Sequence, residues 1–128
     1  MRSRVLVDTC IWIEFFRAKS GIGDPLEMLL TQNAVWTCGI VLFEVLRGIK
    51  SENEKRRLLG MLAGLPYIEM ARALWESAAE LAILAKKNGI TLPLSDIFIA
   101  AIAIENDLSI YTLDKHFEQI PNLKLYKE

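Results

Sequence analysis

Short apolar runs alternate along this chain with longer stretches in which apolar residues recur every three to four positions. Buried strands separated by helices give this pattern. Arg4 to Val7 is an apolar run cut off by Asp8, and it predicts a first strand. Thr9 to Ala18 predicts a helix. Lys19 to Asp24, with two glycines, predicts a loop. Asp24-Pro25 then opens a second helix to about Leu30, with proline at the first helical position. Ala34 to Thr37 predicts a second strand. Ile40 to Arg47 predicts a helix, with Leu42, Val45, Leu46 and Ile49 at helical spacing and Gly48 as its stop. Ser51 and Glu54 form a capping-box pattern that opens a helix to about Ala63. Pro66 to Glu69 predicts a third, weaker strand. Leu74, Ala78, Leu81, Ala82 and Ala85 mark one face of a long helix, which Asn88-Gly89 ends. Ser95 is expected to cap the next helix, which is apolar nearly all round and so should be central. After an Asn106-Asp107 turn come a strand over Ser109 to Thr112, a helical turn over Asp114 to Glu118 and a last strand over Leu123 to Tyr126. The expected fold is therefore α/β, a three-layer sandwich with a central parallel sheet flanked by helices.

Composition narrows the class. The 128 residues suit one domain, and no linker, repeat or low-complexity segment divides residues 1–128. With 52% hydrophobic and 24% charged residues, a disordered chain is excluded. The longest apolar stretch, Ile97 to Ile104, is too short to span a bilayer. Met1-Arg2-Ser3-Arg4 is basic, but only Val5, Leu6 and Val7 follow it, so no signal peptide is read there and a cytoplasmic location is expected. Cys10 and Cys38 have no metal-site or disulfide spacing and read as small buried thiols among apolar neighbours. One histidine, His116, leaves a zinc site or a histidine-based triad short of ligands. A formal net charge of −1 does not announce a nucleic-acid binder, although acids gathered in one pocket with bases around it would give the same total.

The acids are better placed than the total charge suggests. Open parallel sheets bind ligands beyond the carboxyl ends of their strands, where strand order reverses. Asp8 directly follows the first strand, and Asp114 lies two residues beyond the strand ending at Thr112. Glu44 is on the helix leaving the second strand, and Asp96 is in the first turn of the central helix. Carboxylates brought together repel one another, and a divalent cation with oxygen-ligand preference removes that conflict. It also polarises phosphoryl oxygens and lowers the pKa of water, so an acid cluster without a histidine pair, reactive cysteine or phosphate loop suits phosphodiester hydrolysis better than acyl transfer. Each acid also has a purely structural reading. Asp8 could cap the following helix, Glu44 could pair with Arg47, Asp96 could complement its helix dipole and Asp114 could cap a turn.

Four blocks then point to one family. They are Val5-Leu-Val-Asp8-Thr-Cys-Ile-Trp-Ile-Glu14, Ile40-Val-Leu-Phe-Glu44-Val-Leu-Arg-Gly48, Leu94-Ser-Asp96-Ile-Phe-Ile-Ala-Ala-Ile-Ala103 and Ile110-Tyr-Thr-Leu-Asp114-Lys-His-Phe117. In order and spacing the chain resembles a PIN domain, and specifically the VapC toxins of toxin–antitoxin pairs. The resemblance implies a ribonuclease. It also implies that Asp8, Glu44, Asp96 and Asp114 are both catalytic and ligands for one or two Mg2+ ions, with Mn2+ as a substitute, and that the metal activates the attacking water. Thr112 is implied as a helper from the strand end. A cognate antitoxin protein that pushes an arginine or lysine into the acid pocket is implied too, as is a homodimer, for which Phe15, Phe16 and Leu46 are candidate contacts. Ala100 and Ala103 share a helical face with Asp96 and would let that helix approach the sheet closely.

An RNA substrate over an acidic pocket calls for a basic rim. The candidates are Arg17, Lys19, Arg47, Lys50, Lys55, Arg56, Arg57, Lys86 and Lys87, although a solvated helix face is the favoured reading of Lys55 to Arg57. Trp12, Trp36 and Trp75 could stack bases, but each lies in an apolar pattern and is expected in the core. The alternative to an enzyme is a non-catalytic PIN-like module that binds RNA or protein through the same pocket. A phospho-acceptor receiver or a DxD phosphatase would need a second acid near the first strand, where Thr9 and Cys10 stand instead.

Overall fold

A computed structural model of the chain describes residues 3–17 and 23–127. Its elements, in chain order, are β1 (Val5–Val7), α1 (Thr9–Phe16), α2 (Gly23–Thr31), β2 (Val35–Cys38), α3 (Gly39–Gly48), α4 (Glu52–Ala63), β3 (Tyr67–Ile68), α5 (Arg72–Lys87), α6 (Leu94–Glu105), β4 (Ser109–Tyr111), a 3₁₀ turn over Lys115–Gln119, and β5 (Lys124–Leu125). The strands form a five-stranded sheet in the order β3-β2-β1-β4-β5, and every pairing is parallel. Val5 pairs with Val35 on one side and Ser109 on the other, so β1 is the central strand. Strand order runs outward from β1 to β3, then reverses past β1 to β4 and β5. The reversal lies between β1 and β4, and the carboxyl ends of these two strands open onto the crevice where such sheets hold ligands.

Burial explains the three layers. Successive side chains of a strand face opposite sides of the sheet, and Val5, Leu6 and Val7 are all fully buried, so helices cover both faces. Helix α6 lies deepest, with residues Phe98 to Ala103 buried without a break. Ala100 and Ala103 are fully buried on the face they share with Asp96.

Two of the joins that feed the sheet are closed by the same device. At the end of α2, Asn33 has φ +56°, its amide donates to the Leu30 carbonyl, and the Ala34 amide donates to that of Leu29 at 3.0 Å. At the end of α6, Asp107 has φ +54° and the Leu108 amide donates to the Ala103 carbonyl at 2.9 Å. In both, a left-handed residue turns the chain into a strand within two or three positions while satisfying the last helical carbonyls. Helix α5 ends in this way at Gly89, φ +73°, with the Ile90 amide donating to Ala85, as Asn88-Gly89 predicts.

Other expectations are corrected. Gly48 is the last residue of α3 rather than a left-handed stop, and the chain leaves through Ile49 in an extended conformation. Ser95 does not cap α6. The helix starts at Leu94, because Pro93 (φ −58°, ψ 150°) holds the chain extended and its carbonyl accepts from the Ile97 amide at 3.2 Å. Asp24-Pro25 lies inside α2, which begins at Gly23. The loop expected from Lys19 falls largely outside the described residues, as do Ala18 and the candidate rim residue Lys19. Ser51 does cap α4, accepting from the Glu54 amide at 3.3 Å. The tryptophans divide. Trp12 is fully buried beside Phe15 and Phe16 and Trp36 is half-buried, but Trp75 is 54% exposed, because only one side of it packs, edge-on, against Phe98 of α6.

Candidate metal centre

Asp8 leaves β1 at the point where strand order reverses. Its amide donates to the Tyr111 carbonyl of β4 at 2.9 Å, which pins it between the two strand ends. Its carboxylate is buried and has two tasks. Oδ1 accepts from the Thr9 amide at 2.8 Å and caps α1. Oδ2 accepts from the Thr112 hydroxyl at 2.7 Å and from the Cys10 thiol at 3.6 Å. The capping reading of Asp8 is therefore correct but incomplete, because a cap needs only one of the oxygens.

Thr9 and Thr112 extend the network on either side. The Thr9 hydroxyl donates to Glu44 Oε1 at 2.9 Å, across 35 positions of sequence. Glu44 does not pair with Arg47; the Arg47 guanidinium lies over the Phe43 ring instead, 5.4 Å from its centre. The Thr112 hydroxyl, besides donating to Asp8, accepts from the Asp114 amide at 3.0 Å. Asp114 caps the 3₁₀ turn through the His116 amide at 2.9 Å, and the same oxygen lies 3.0 Å from His116 Nδ1. His116 Nδ1 is also 3.4 Å from Asp96 Oδ2. An unbroken chain of contacts thus links Glu44, Asp8, Asp114 and Asp96, drawn from β1, α3, α6 and the segment after β4. One ligand atom each from Asp96, Asp114 and His116 lie within 4.8 Å of one another, and Asp8 and Glu44 stand outside that tight group.

The electrostatics favour a cation. Burial raises the Asp8 pKa above its ordinary value, the hydrogen bonds from Thr112 and Thr9 only partly oppose this, and the Glu44 charge adds to it. Burial also raises that of Asp96, with the charges of Asp114 and Asp8 adding to the effect and His116 opposing it. Among the described residues no lysine or arginine forms an ion pair with any of the four acids, and His116 is the one basic group that touches them. Crowded carboxylates without a fixed countercharge, all of them oxygen donors, are a donor set that fits a hard divalent cation.

Sequence reasoning missed three of these residues. Cys38 is buried as expected, but Cys10 is half-buried against the site, where its sulfur accepts from the Leu113 amide at 3.4 Å; burial and the neighbouring Asp8 raise the pKa of its thiol. Thr9 and His116 were legible only as neighbours of the acids. The signal available was position: each lies within two residues of a strand-end acid, so the same turn that presents the carboxylate presents them. Of the rim candidates, Lys86 lines the same hollow as Ile97, the residue after Asp96. Arg17 pairs with Glu14, Arg56 bonds to Asn53 and Arg57 lies over Phe16.

A parallel sheet with carboxylates gathered where its strand order reverses defines an α/β protein equipped to hold a divalent cation at that edge. The chain belongs to the PIN-domain family, whose model matches residues 5–123. It is 30% identical over 124 residues to Ribonuclease VapC11 of Mycobacterium tuberculosis and to VapC ribonuclease Mb1587 of Mycobacterium bovis, covering 93% of this chain and 92% of each relative. Among solved structures it resembles VapBC2 of Rickettsia felis bound to a promoter DNA fragment, with a TM-score of 0.83 and 25% identity over 95% of this chain and 96% of that one. The fold is also that of FitAcB from Neisseria gonorrhoeae, with a TM-score of 0.79, 20% identity and 96% coverage of both chains. The expected family and the expected three-layer fold are both correct.

Proposed function

We propose that this chain is a metal-dependent endoribonuclease, the toxin component of a toxin–antitoxin pair, that hydrolyses RNA phosphodiester bonds at the Asp8–Glu44–Asp96–Asp114 site. The observation that carries the reading is the linked set of four acids at the carboxyl edge of a PIN-family sheet, two of them with raised pKa and, among the described residues, none with a lysine or arginine partner. The relatives named as ribonucleases match over nearly the whole chain.

Asp8, Asp96, Asp114 and Glu44 would hold the metal, for which magnesium fits the oxygen donors and manganese is a substitute. Such a cation supplies charge to the phosphoryl oxygens and lowers the pKa of nearby water. The protein's own contribution is positional. Thr112 aims Asp8 and, through the Asp114 amide, sets the distance between two of the acids. Thr9 fixes Glu44 against the capped end of α1. Lys86, which lines a hollow with Ile97 next to Asp96, is the first candidate for a phosphate contact, with Arg47 and the cations of α4 as further candidates, and RNA binding should weaken as salt rises.

The test is cleavage of RNA by the full chain with Mg2+, with EDTA and as Asp8→Asn. Cleavage only in the first supports the enzyme. Equal outcomes in all three would make the pocket a binding module for RNA or protein. The partner proposed for the pocket is an antitoxin that places a cationic side chain among the acids, consistent with the toxin–antitoxin complexes among the structural relatives. A homodimer is also proposed, although Phe15, Phe16 and Leu46 are already half-buried in one copy and pack against its core. Sedimentation of the purified chain tests this. Among the described residues no helix is long and apolar enough to cross a membrane, and the proposed site of action is the cytoplasm.

A further inference from the structure

We infer that His116 Nδ1 is a metal ligand, so that the Asp96–Asp114 end of the centre binds a first-row transition-metal dication in preference to magnesium. The inference rests on the reading of the acids as a metal site and adds a nitrogen donor to an otherwise all-oxygen set.

The geometry carries it. His116 Nδ1 is 3.0 Å from Asp114 Oδ1 and 3.4 Å from Asp96 Oδ2, and one ligand atom from each of the three residues lies within 4.8 Å of the others. Adjacent ligands of an octahedral cation are separated by √2 times the metal–ligand distance, about 3 Å for bonds of about 2.1 Å. The two separations that involve Nδ1, 3.0 and 3.4 Å, are close to this adjacent-ligand spacing, and one oxygen from each carboxylate lies within 4.8 Å of the other, both within reach of the ring nitrogen. The ring is held where it is needed, because its own backbone amide donates to Asp114. Its side chain is half exposed, which leaves Nε2 able to hydrogen-bond to water while Nδ1 faces the acids. In the metal-free protein Nδ1 can offer only one proton to two carboxylate oxygens. With a cation bound, the neutral ring would carry its one proton on Nε2, which faces solvent, and the Nδ1 lone pair would become the third donor.

A nitrogen donor changes the choice of metal. Carboxylate oxygens serve magnesium and manganese alike, whereas imidazole favours first-row transition ions and adds little for magnesium. A centre of two carboxylate oxygens and one imidazole nitrogen should therefore prefer manganese or a later ion wherever both are available.

The experiment uses Mn2+ as the probe on the full chain. Pulsed electron paramagnetic resonance detects nuclear modulation from nitrogen bonded to bound Mn2+. Calorimetry gives Mn2+ and Mg2+ affinities for the native protein and for His116→Gln, with circular dichroism checking the fold. Nitrogen modulation in the native protein that is absent in His116→Gln is expected, together with at least a tenfold fall in the Mn2+ over Mg2+ preference. If His116→Gln does not fold, imidazole-nitrogen modulation in the native protein decides the matter alone, because His116 is the one histidine of the chain. Bound Mn2+ without nitrogen modulation, or an unchanged preference, overturns the inference. RNA cleavage without nitrogen modulation would defeat only the ligation by His116. Nitrogen modulation without cleavage would support the ligation and defeat only the nuclease reading.

Discussion

Replacing Asp8 separates what its charge does from what its shape does. In Asp8→Asn the side-chain oxygen can still accept from the Thr9 amide and cap α1, so the packing and the helix start survive. What disappears is a negative charge that burial and Glu44 disfavour, even after the hydrogen bonds from Thr112 and Thr9 are counted; the amide nitrogen that replaces Oδ2 can no longer accept from the Thr112 hydroxyl but can donate to its oxygen. At neutral pH and without metal, Asp8→Asn should therefore be more stable than the native protein, by on the order of 1 kcal/mol. For a chain of 128 residues that is a rise of about 3–5 °C in Tm. Asp8→Ala differs, because it also removes the cap, worth about 1 kcal/mol, and leaves the Thr112 hydroxyl with no polar partner at position 8, costing about a further 1 kcal/mol. It should fall below Asp8→Asn by about 2 kcal/mol while remaining folded. Metal reverses the ranking of the native protein and Asp8→Asn. At free Mg2+ ten times its dissociation constant, the native protein gains about 1.4 kcal/mol and a variant lacking the ligand gains far less. The assay is thermal melting followed by circular dichroism in EDTA and in Mg2+. If Asp8→Asn melts below the native protein in EDTA, or if Mg2+ raises both by the same amount, Asp8 is a structural cap and the electrostatic argument for a metal fails.

Three further outcomes are expected. Because the pKa values of Asp8 and Asp96 are raised in the folded state, that state holds their protons more tightly than the unfolded chain does. The stability of the metal-free protein should fall as pH rises from the ordinary carboxylate value of 3.8 through the raised values, then stay level, and saturating Mg2+ should cancel the loss; urea unfolding at a series of pH values reads the slope. Asp107, fully exposed and held below its ordinary value by the hydrogen bond from Lys124, acts in the opposite sense, and added salt should suppress its part. Thr112→Val keeps the size but loses the hydroxyl that aims Asp8 and accepts from the Asp114 amide, so RNA cleavage should drop by about 10- to 100-fold with a loss of about 1–2 kcal/mol of stability that leaves the protein folded; unchanged kcat/KM would show that the acids are held without it. Gly89→Ala puts a side chain at φ +73° and should cost about 1 kcal/mol in a melting experiment while leaving cleavage untouched, because nothing in the metal centre touches it.

The sequence made the order of strands and helices readable because two signals agreed almost everywhere, apolar periodicity and turn chemistry. Residues Glu52–Ala63 show this well: a serine cap and an amphipathic face bracket the helix at both ends as observed. The pattern was weakest where one residue type can serve two purposes. Gly48 resembled a helix stop but has ordinary backbone angles, and Ser95 resembled a cap although Pro93 had already fixed the helix start. Trp75 shows that helical periodicity identifies a face but not how far its neighbours cover it. In the site, the four acids were legible because strand ends and helix starts are visible in sequence. Their link through Thr9, Thr112 and His116 was not, because such bonds join positions up to 104 residues apart and depend on which strands are neighbours.

The left-handed turns at Asn33 and Asp107 give the two ends of the sheet different freedoms. At the amino end, each turn couples helix to strand through backbone hydrogen bonds, so inserting or deleting a residue there would slip the register of β2 or β4 and turn buried side chains outward. At the opposite end, β1 meets α1 with only Asp8 between them and β2 runs straight into α3, so a residue added there would displace an acid rather than slip a strand. Change in length and composition is therefore accommodated away from the ends of the central strands, which lets one scaffold vary its surface around an unchanging chemical core.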